Sequence, residues 1–282
     1  MAYDTKPNAG YIADGIKVSN VEILHRQGFL GEGMRVGVID TGCYVEHNFI
    51  KENIVCGKNF TSPNADDYID RNNHGTFCIG EIVQIAPKCE VVVAKALDDS
   101  GNGLFETSII PAFRYCIEQG CHVISMSLGG TRQSKELHDL ILQANDLGII
   151  IICAGGNYGD GKAETNEYNY PASYEEVVNV GAVNQDKTIA KYSNSNEWVD
   201  VCAVGTNIKS CYLNNKWCDS TGTSMATPIV AGICLLLREK FIKEYGRTPS
   251  EKELYARLID NTVDLKISRR FQGNGFVCIE EE

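Results

Sequence analysis

Arg35-Val36-Gly37-Val38-Ile39-Asp40-Thr41-Gly42 decides the fold of this chain. No charge stands between Arg35 and Asp40, so the run reads as a short strand buried on both faces, as strands of parallel sheets are. Asp40 ends the strand and Thr41-Gly42 turn the chain. Further apolar segments follow at 91–97, 122–126 and 148–154, and amphipathic helical patterns occupy 21–28, 106–119, 134–147 and 249–260. This alternation predicts an α/β fold, a mostly parallel central sheet with helices on both faces. No linker, repeat or low-complexity tract interrupts the 282 residues, so one domain over 1–282 is expected, with 1–15 as a polar N-terminal extension.

A carboxylate at the end of such a strand lies on the edge where open α/β sheets build their sites. Two other runs present chemistry of the same kind. Asn73-His74-Gly75-Thr76 precedes an apolar stretch that reads as a helix, placing the imidazole at a helix start. Gly222-Thr223-Ser224-Met225-Ala226-Thr227-Pro228 opens a long apolar helix, where the Ser224 hydroxyl meets a field that favours developing negative charge. Pro228 is expected close to the helix start, since deeper in it removes a backbone hydrogen bond. A serine hydroxyl is a poor nucleophile unless an imidazole takes its proton and a carboxylate holds that imidazole. A fourth run, Gly155-Gly156-Asn157-Tyr158-Gly159, follows a core strand and aims the Asn157 amide where it could meet an oxyanion. Each feature alone has an ordinary reading: Asp40 as a turn residue, Ser224 as a helix cap, Asn157 as a loop residue. Their joint appearance, in order and with these neighbours, argues for the catalytic one. His25, His47, His122 and His138 lack a glycine-framed setting and read as packing or surface residues.

These runs resemble the subtilisin family of serine proteases (subtilases), from about residue 11 to 276, and the run from Gly222 to Pro228 is the most specific part of the likeness. The order Asp, His, Ser along the chain matches that family among triad enzymes. The resemblance implies a subtilisin-like three-layer fold, a catalytic triad of Asp40, His74 and Ser224, and Asn157 as oxyanion donor. It implies that Gly101, Asn102 and Gly103 on one side, and Ser127, Leu128 and Gly129 on the other, sandwich an extended peptide by strand addition. Asn169, before Tyr170-Pro171, falls at the floor of the pocket for the residue preceding the cleaved bond. Relatives often carry glycine there, so a shallower or more polar pocket is expected. The Tyr170-Pro171 bond is a candidate cis peptide.

The departures from the family pattern are equally specific. Residues 80–87 run straight through where relatives insert a loop that holds calcium tightly, so that site is expected to be absent and no cofactor is required. A weak calcium or sodium site is conceivable at the carbonyls of Ala172, Tyr174 and Val177 with Asp200. Phe77 stands for a usual histidine and Val204 for a usual proline. The match begins about a dozen residues into the chain, which suggests a protease that folds without a long pro-domain. The implied activity is a serine endopeptidase that acts in the cytoplasm on proteins or on the leader of a precursor peptide. A catalytically silent peptide-binding relative is the alternative.

Charge and cysteine usage bound the setting. A net charge of −11 speaks against nucleic acid and offers no basic patch to a membrane. Asp98, Asp99 and Glu106 flank one cleft wall, and Asp160, Glu164 and Glu167 precede the pocket floor; they read either as solvated charge or as a preference for basic peptides. The twelve cysteines, among them Cys43, Cys78, Cys89, Cys153, Cys202 and Cys234, sit in or beside apolar segments without metal-type pairing. Free cysteine packs as a small hydrophobe, and this usage suggests a reducing compartment.

Overall fold

The computed structural model describes residues 2–3 and 10–281. Nine strands form one sheet in the order Thr262–Val263, Phe276–Val277, Val201–Val204, Val178–Val183, Ile150–Ala154, Val123–Met126, Arg35–Asp40, Glu90–Lys95 and Ile54–Asn59. Every neighbouring pair is parallel except Thr262–Val263 with Phe276–Val277. Successive residues of the central strands point into different cores. Val36, Val38, Ile150 and Ile152 join the helices His74–Ile85 and Thr223–Tyr245, whereas Ile39, Ile151 and Cys153 join Ile110–Glu118 and Lys135–Asp146. Helices therefore cover both faces, which makes three layers and explains why these strands read as continuous apolar runs rather than alternating ones.

The expected helices form, with shifted ends. The pattern at 106–119 divides into a π-turn, Phe105–Ile109, and the helix Ile110–Glu118. Ser134 caps Lys135–Asp146 through its side chain, and Ser250 with Glu253 makes a reciprocal capping box on Glu251–Asp260. Thr223–Tyr245 is apolar nearly all round and lies in the core, so its length rests on packing rather than on an amphipathic stripe.

A second, three-stranded antiparallel sheet flanks the His74–Ile85 helix: Ala2–Tyr3, Lys216–Ser220 and Ile208–Tyr212. Part of the N-terminal extension thus adds a strand, and residues 1 and 4–9 lie outside the described residues. Among the described residues no helix is long and apolar enough to cross a membrane.

Candidate active site

The strand order dictates where the site forms. Arg35–Asp40 has Glu90–Lys95 on one side and Val123–Met126 on the other, although these two follow one another among the strands of the sheet. Order reverses there, and the loops leaving the two neighbours diverge to open a crevice beyond the carboxyl ends. It is lined by Leu97, residues 101–105 and 127–130, with Thr41, Asn72 and His74 beside them, and its volume is about 530 Å³. Gly101, Asn102, Gly103, Ser127, Leu128 and Gly129 all line this cleft, as expected. Asp98 fixes one wall by accepting from the Ser100 and Asn102 N–H groups, each at 2.9 Å. The other wall is tied from behind, where Gly130 and Tyr170 exchange backbone hydrogen bonds of 3.0 and 2.7 Å.

The acid and the base meet at the end of the central strand. His74 Nδ1 lies 2.8 and 3.0 Å from the two Asp40 oxygens. Asp40 is 1% exposed and the His74 side chain 30% exposed, so the imidazole alone faces the cleft. Desolvation lowers the His74 pKa, but the adjacent Asp40 charge and hydrogen bond outweigh it and hold the imidazole well above its ordinary value of 6.5. The hydrogen bond to Asp40 also fixes the tautomer, with the proton on Nδ1 and the Nε2 lone pair free for a substrate-side proton.

A second carboxylate, which the sequence reading missed, locks this geometry. Asp70 is 2% exposed and accepts from Thr41 Oγ1, the Asn72 and Asn73 N–H groups, and both the N–H and Oγ1 of Thr76. Thr41 Oγ1 in turn accepts from the Gly75 N–H at 2.9 Å. Asp70 therefore binds the strand that carries Asp40 to the helix start that carries His74, and satisfies free N–H groups of that helix. Asn73, just before His74, holds a left-handed backbone at φ 96°, which asparagine tolerates better than most residues. Gly75 has no alternative: a Cβ there would stand 2.2 Å from the Gly42 carbonyl oxygen. Lys95, buried at 2% exposure, donates to the Thr41 carbonyl at 2.6 Å and to Asp99 at 2.9 Å.

Ser224 is the second residue of the Thr223–Tyr245 helix. Its hydroxyl donates to the Ser127 carbonyl at 3.2 Å. Pro228 sits four residues on, deeper than expected, and its missing N–H leaves the Ser224 carbonyl without its helical donor. Two side chains replace that donor: Ser127 Oγ at 2.8 Å and Cys78 Sγ at 3.6 Å. Cys78 also lies 4.0 Å from His74 Nδ1, so one thiol touches both the base and the nucleophile's peptide unit.

Asn157 is exposed, and its side-chain oxygen accepts from Thr223 N–H at 2.8 Å and Thr223 Oγ1 at 3.0 Å. The amide nitrogen is thereby turned away from Thr223. A Cβ placed on Gly222 would lie 3.4 Å from Asn157 Nδ2 and 3.7 Å from Ser224 N. Glycine thus leaves open a space that both donors border, the arrangement an oxyanion needs.

Asn169 is 5% exposed and turned inward. Its Nδ2 donates to the Ala154 carbonyl at 2.8 Å, and it packs under Gly129 and beside Gly156. It joins the two loop ends as a strut and does not line the main cleft. The Tyr170-Pro171 bond is cis.

Of the residues named for a weak cation site, Asp200 accepts from the Asn179 N–H and the Tyr255 hydroxyl, at 2.8 and 2.7 Å, and the Tyr174 carbonyl from the Val177 N–H. Burial pushes the Asp200 carboxyl up to about 6 against those two hydrogen bonds. The acidic residues around the cleft are mostly engaged by their own neighbours, too: Asp99 with Lys95, Glu106 with Arg132, Asp160 with Lys162 and Thr165, Glu167 with Ser195 and Thr165. Glu164 is exposed. The solvated and structural reading of this charge is the one the structure supports.

The other histidines are structural. His25 bonds the Ile85 carbonyl, His47 the Lys216 carbonyl, His122 accepts from the Arg35 N–H, and His138 pairs with Glu176. Burial, then the charges of Arg238 and Arg35, lower His122 to about 4. The helix His74–Ile85 runs unbroken through 80–85, and all twelve cysteines are free.

Comparison with known proteins agrees with this geometry. The family model described as "Subtilase family" matches residues 31–275. The chain is 40% identical over 261 residues to an intracellular serine protease of Paenibacillus polymyxa, covering 88% of this chain and 80% of that protein. It is 37% identical over 281 residues to the major intracellular serine protease of Bacillus subtilis (strain 168), covering 95% and 88%. Subtilisin DY of Bacillus licheniformis is 32% identical over 275 residues, covering 94% and 96%. The chain belongs to the subtilase family of serine proteases.

Proposed function

We propose that Asp40, His74 and Ser224 hydrolyse peptide bonds of proteins held in extended form in the cleft, and that the enzyme works inside the cell. The carrying observation is the pairing of His74 Nδ1 with both oxygens of a buried Asp40, at 2.8 and 3.0 Å, on the rim where Ser224 begins its helix. The reaction requires the Ser224 hydroxyl to turn from the Ser127 carbonyl to His74 Nε2. As Oγ bonds the scissile carbonyl carbon, Nε2 takes its proton, and Asp40 stabilises the imidazolium. The carbonyl oxygen gains the charge and is held by Asn157 Nδ2–H and the Ser224 N–H. The imidazolium then protonates the leaving amine, an acyl-enzyme remains, and water reverses the steps. The relatives named as intracellular proteases, and twelve free cysteines of which eleven are buried, support a reducing interior as the place of action.

A fluorophosphonate tests this reading. Native protein at neutral pH should be labelled at Ser224, and Ser224→Ala should take no label. Folded native protein that stays unlabelled would make the chain a silent peptide-binding subtilase instead.

A further inference from the structure

We propose that Asp40, His74 and Cys78 together form a site for a borderline-soft divalent cation of the zinc class, and that filling it silences the enzyme. The second part rests on the triad reading above.

The site follows from helical spacing. Cys78 lies four residues after His74 in the helix His74–Ile85, so both side chains project from one face. That face looks onto the end of the strand carrying Asp40. One ligand atom from each residue, a carboxylate oxygen, an imidazole nitrogen and a thiol sulfur, falls within 4.8 Å of the other two. Among the described residues no other group of three is so placed. Zinc bonds oxygen and nitrogen at about 2.0–2.1 Å and sulfur at about 2.3 Å, so tetrahedral ligand atoms stand about 3.3–3.8 Å apart. The present spacings are 2.8 Å from His74 Nδ1 to Asp40 and 4.0 Å from Nδ1 to Cys78 Sγ. The first must open and the second close by well under 1 Å, which side-chain rotation supplies. Three protein ligands leave a fourth position for water. A mixed O, N, S set suits zinc or cobalt; calcium and magnesium require oxygen.

The cleft gives an ion a way in. Asp40 and Cys78 are buried, but the His74 ring is 30% exposed on the cleft wall, and an ion passing its edge meets the other two ligands at once.

The consequence for chemistry is strict. In the metal-free enzyme Nδ1–H donates to Asp40 and the Nε2 lone pair awaits the Ser224 proton. A cation takes the Nδ1 lone pair, and the ring proton moves to Nε2. No lone pair then remains to act as base. Cys78 binds as thiolate and gives its proton to solvent, so one divalent ion enters and one proton leaves, and the charge of the three side chains plus ion passes from −1 to 0.

Full-length protein, stripped with chelator and then titrated, tests both parts. Cobalt(II) should bind one ion per chain with a thiolate-to-cobalt charge-transfer band, and zinc should abolish that band by competition. At a pH above the His74 titration zinc should release one proton per ion and block fluorophosphonate labelling of Ser224, and chelator should restore labelling. In Cys78→Ala the band should vanish, and the zinc needed to halve labelling should rise at least about tenfold, the lower range for altering a metal site's supporting groups. Absence of the band in native protein overturns the site, and this arm stands even if Cys78→Ala does not fold. Equal zinc sensitivity of native and Cys78→Ala protein overturns the silencing at this site. Metal-free protein that takes no label defeats the triad reading and the silencing with it, while the cobalt band alone decides the site.

Discussion

Ser127 and Ser224 hold each other by two hydrogen bonds that run in opposite directions: the Ser127 hydroxyl donates to the Ser224 carbonyl at 2.8 Å, and the Ser224 hydroxyl donates to the Ser127 carbonyl at 3.2 Å. The first bond exists because Pro228 leaves that carbonyl open. The second parks the nucleophile on the wall of the substrate cleft.

Ser127→Ala should therefore lower kcat more than it changes KM. One hydrogen bond to the peptide unit of the nucleophile is worth about 1 kcal/mol net, or about fivefold in rate. Steady-state kinetics with a chromogenic peptide would show it. A change confined to KM would mean that the Ser127 hydroxyl serves substrate rather than Ser224.

The pH profile follows from the Asp40–His74 pair. His74 must be neutral to accept a proton, and its folded pKa is raised above 6.5. The rate should climb as pH rises through that raised value and fall below it, so the acid limb of kcat/KM should lie on the alkaline side of 6.5. Asp40→Asn removes the charge that raises it. The limb should move toward acid, and kcat should fall by about 10,000-fold, the loss known for the equivalent change in a triad protease.

Asn157→Ala should lower kcat by about 100- to 1,000-fold with KM little changed, because Nδ2 is the donor offered to the oxyanion while Oδ1 only ties the side chain to Thr223; that range was measured on a subtilisin, so here it is an expectation carried from the family.

Asp70→Ala tests the brace between strand and helix. It strips a buried acceptor from three N–H groups and two hydroxyls. Urea unfolding should show a loss on the order of 3 kcal/mol, since each buried donor left unpaired costs about 1–3 kcal/mol before water enters. Activity should fall with it, because Thr41 and Gly75 lose their common anchor.

Thiol chemistry checks the packing. In native protein a bulky thiol reagent should react quickly only at half-buried Cys56, and at all twelve cysteines in denaturant.

The sequence made the layers legible because burial on both faces leaves uninterrupted apolar strands such as Ile150–Ala154. It made Asp40, His74, Ser224 and Asn157 legible because glycines and threonines frame them. Asp70 was hidden: an aspartate four residues before a histidine looks like any loop residue, and only folding brings Thr41 and Thr76 to it. Ser127 and Cys78 were hidden in part because their partner is a main-chain oxygen, freed by a proline whose depth in the helix was underestimated. Nor does the sequence reveal that Tyr255, from a distant helix, reaches the Asp200 carboxylate.

Asp40, His74 and Ser224 ride on a strand and two helices whose starting points span most of the chain. No fragment that lacks any one of the three carries a complete set. A nascent chain in which the helix that carries Ser224 has not yet been made therefore cannot cut its neighbours.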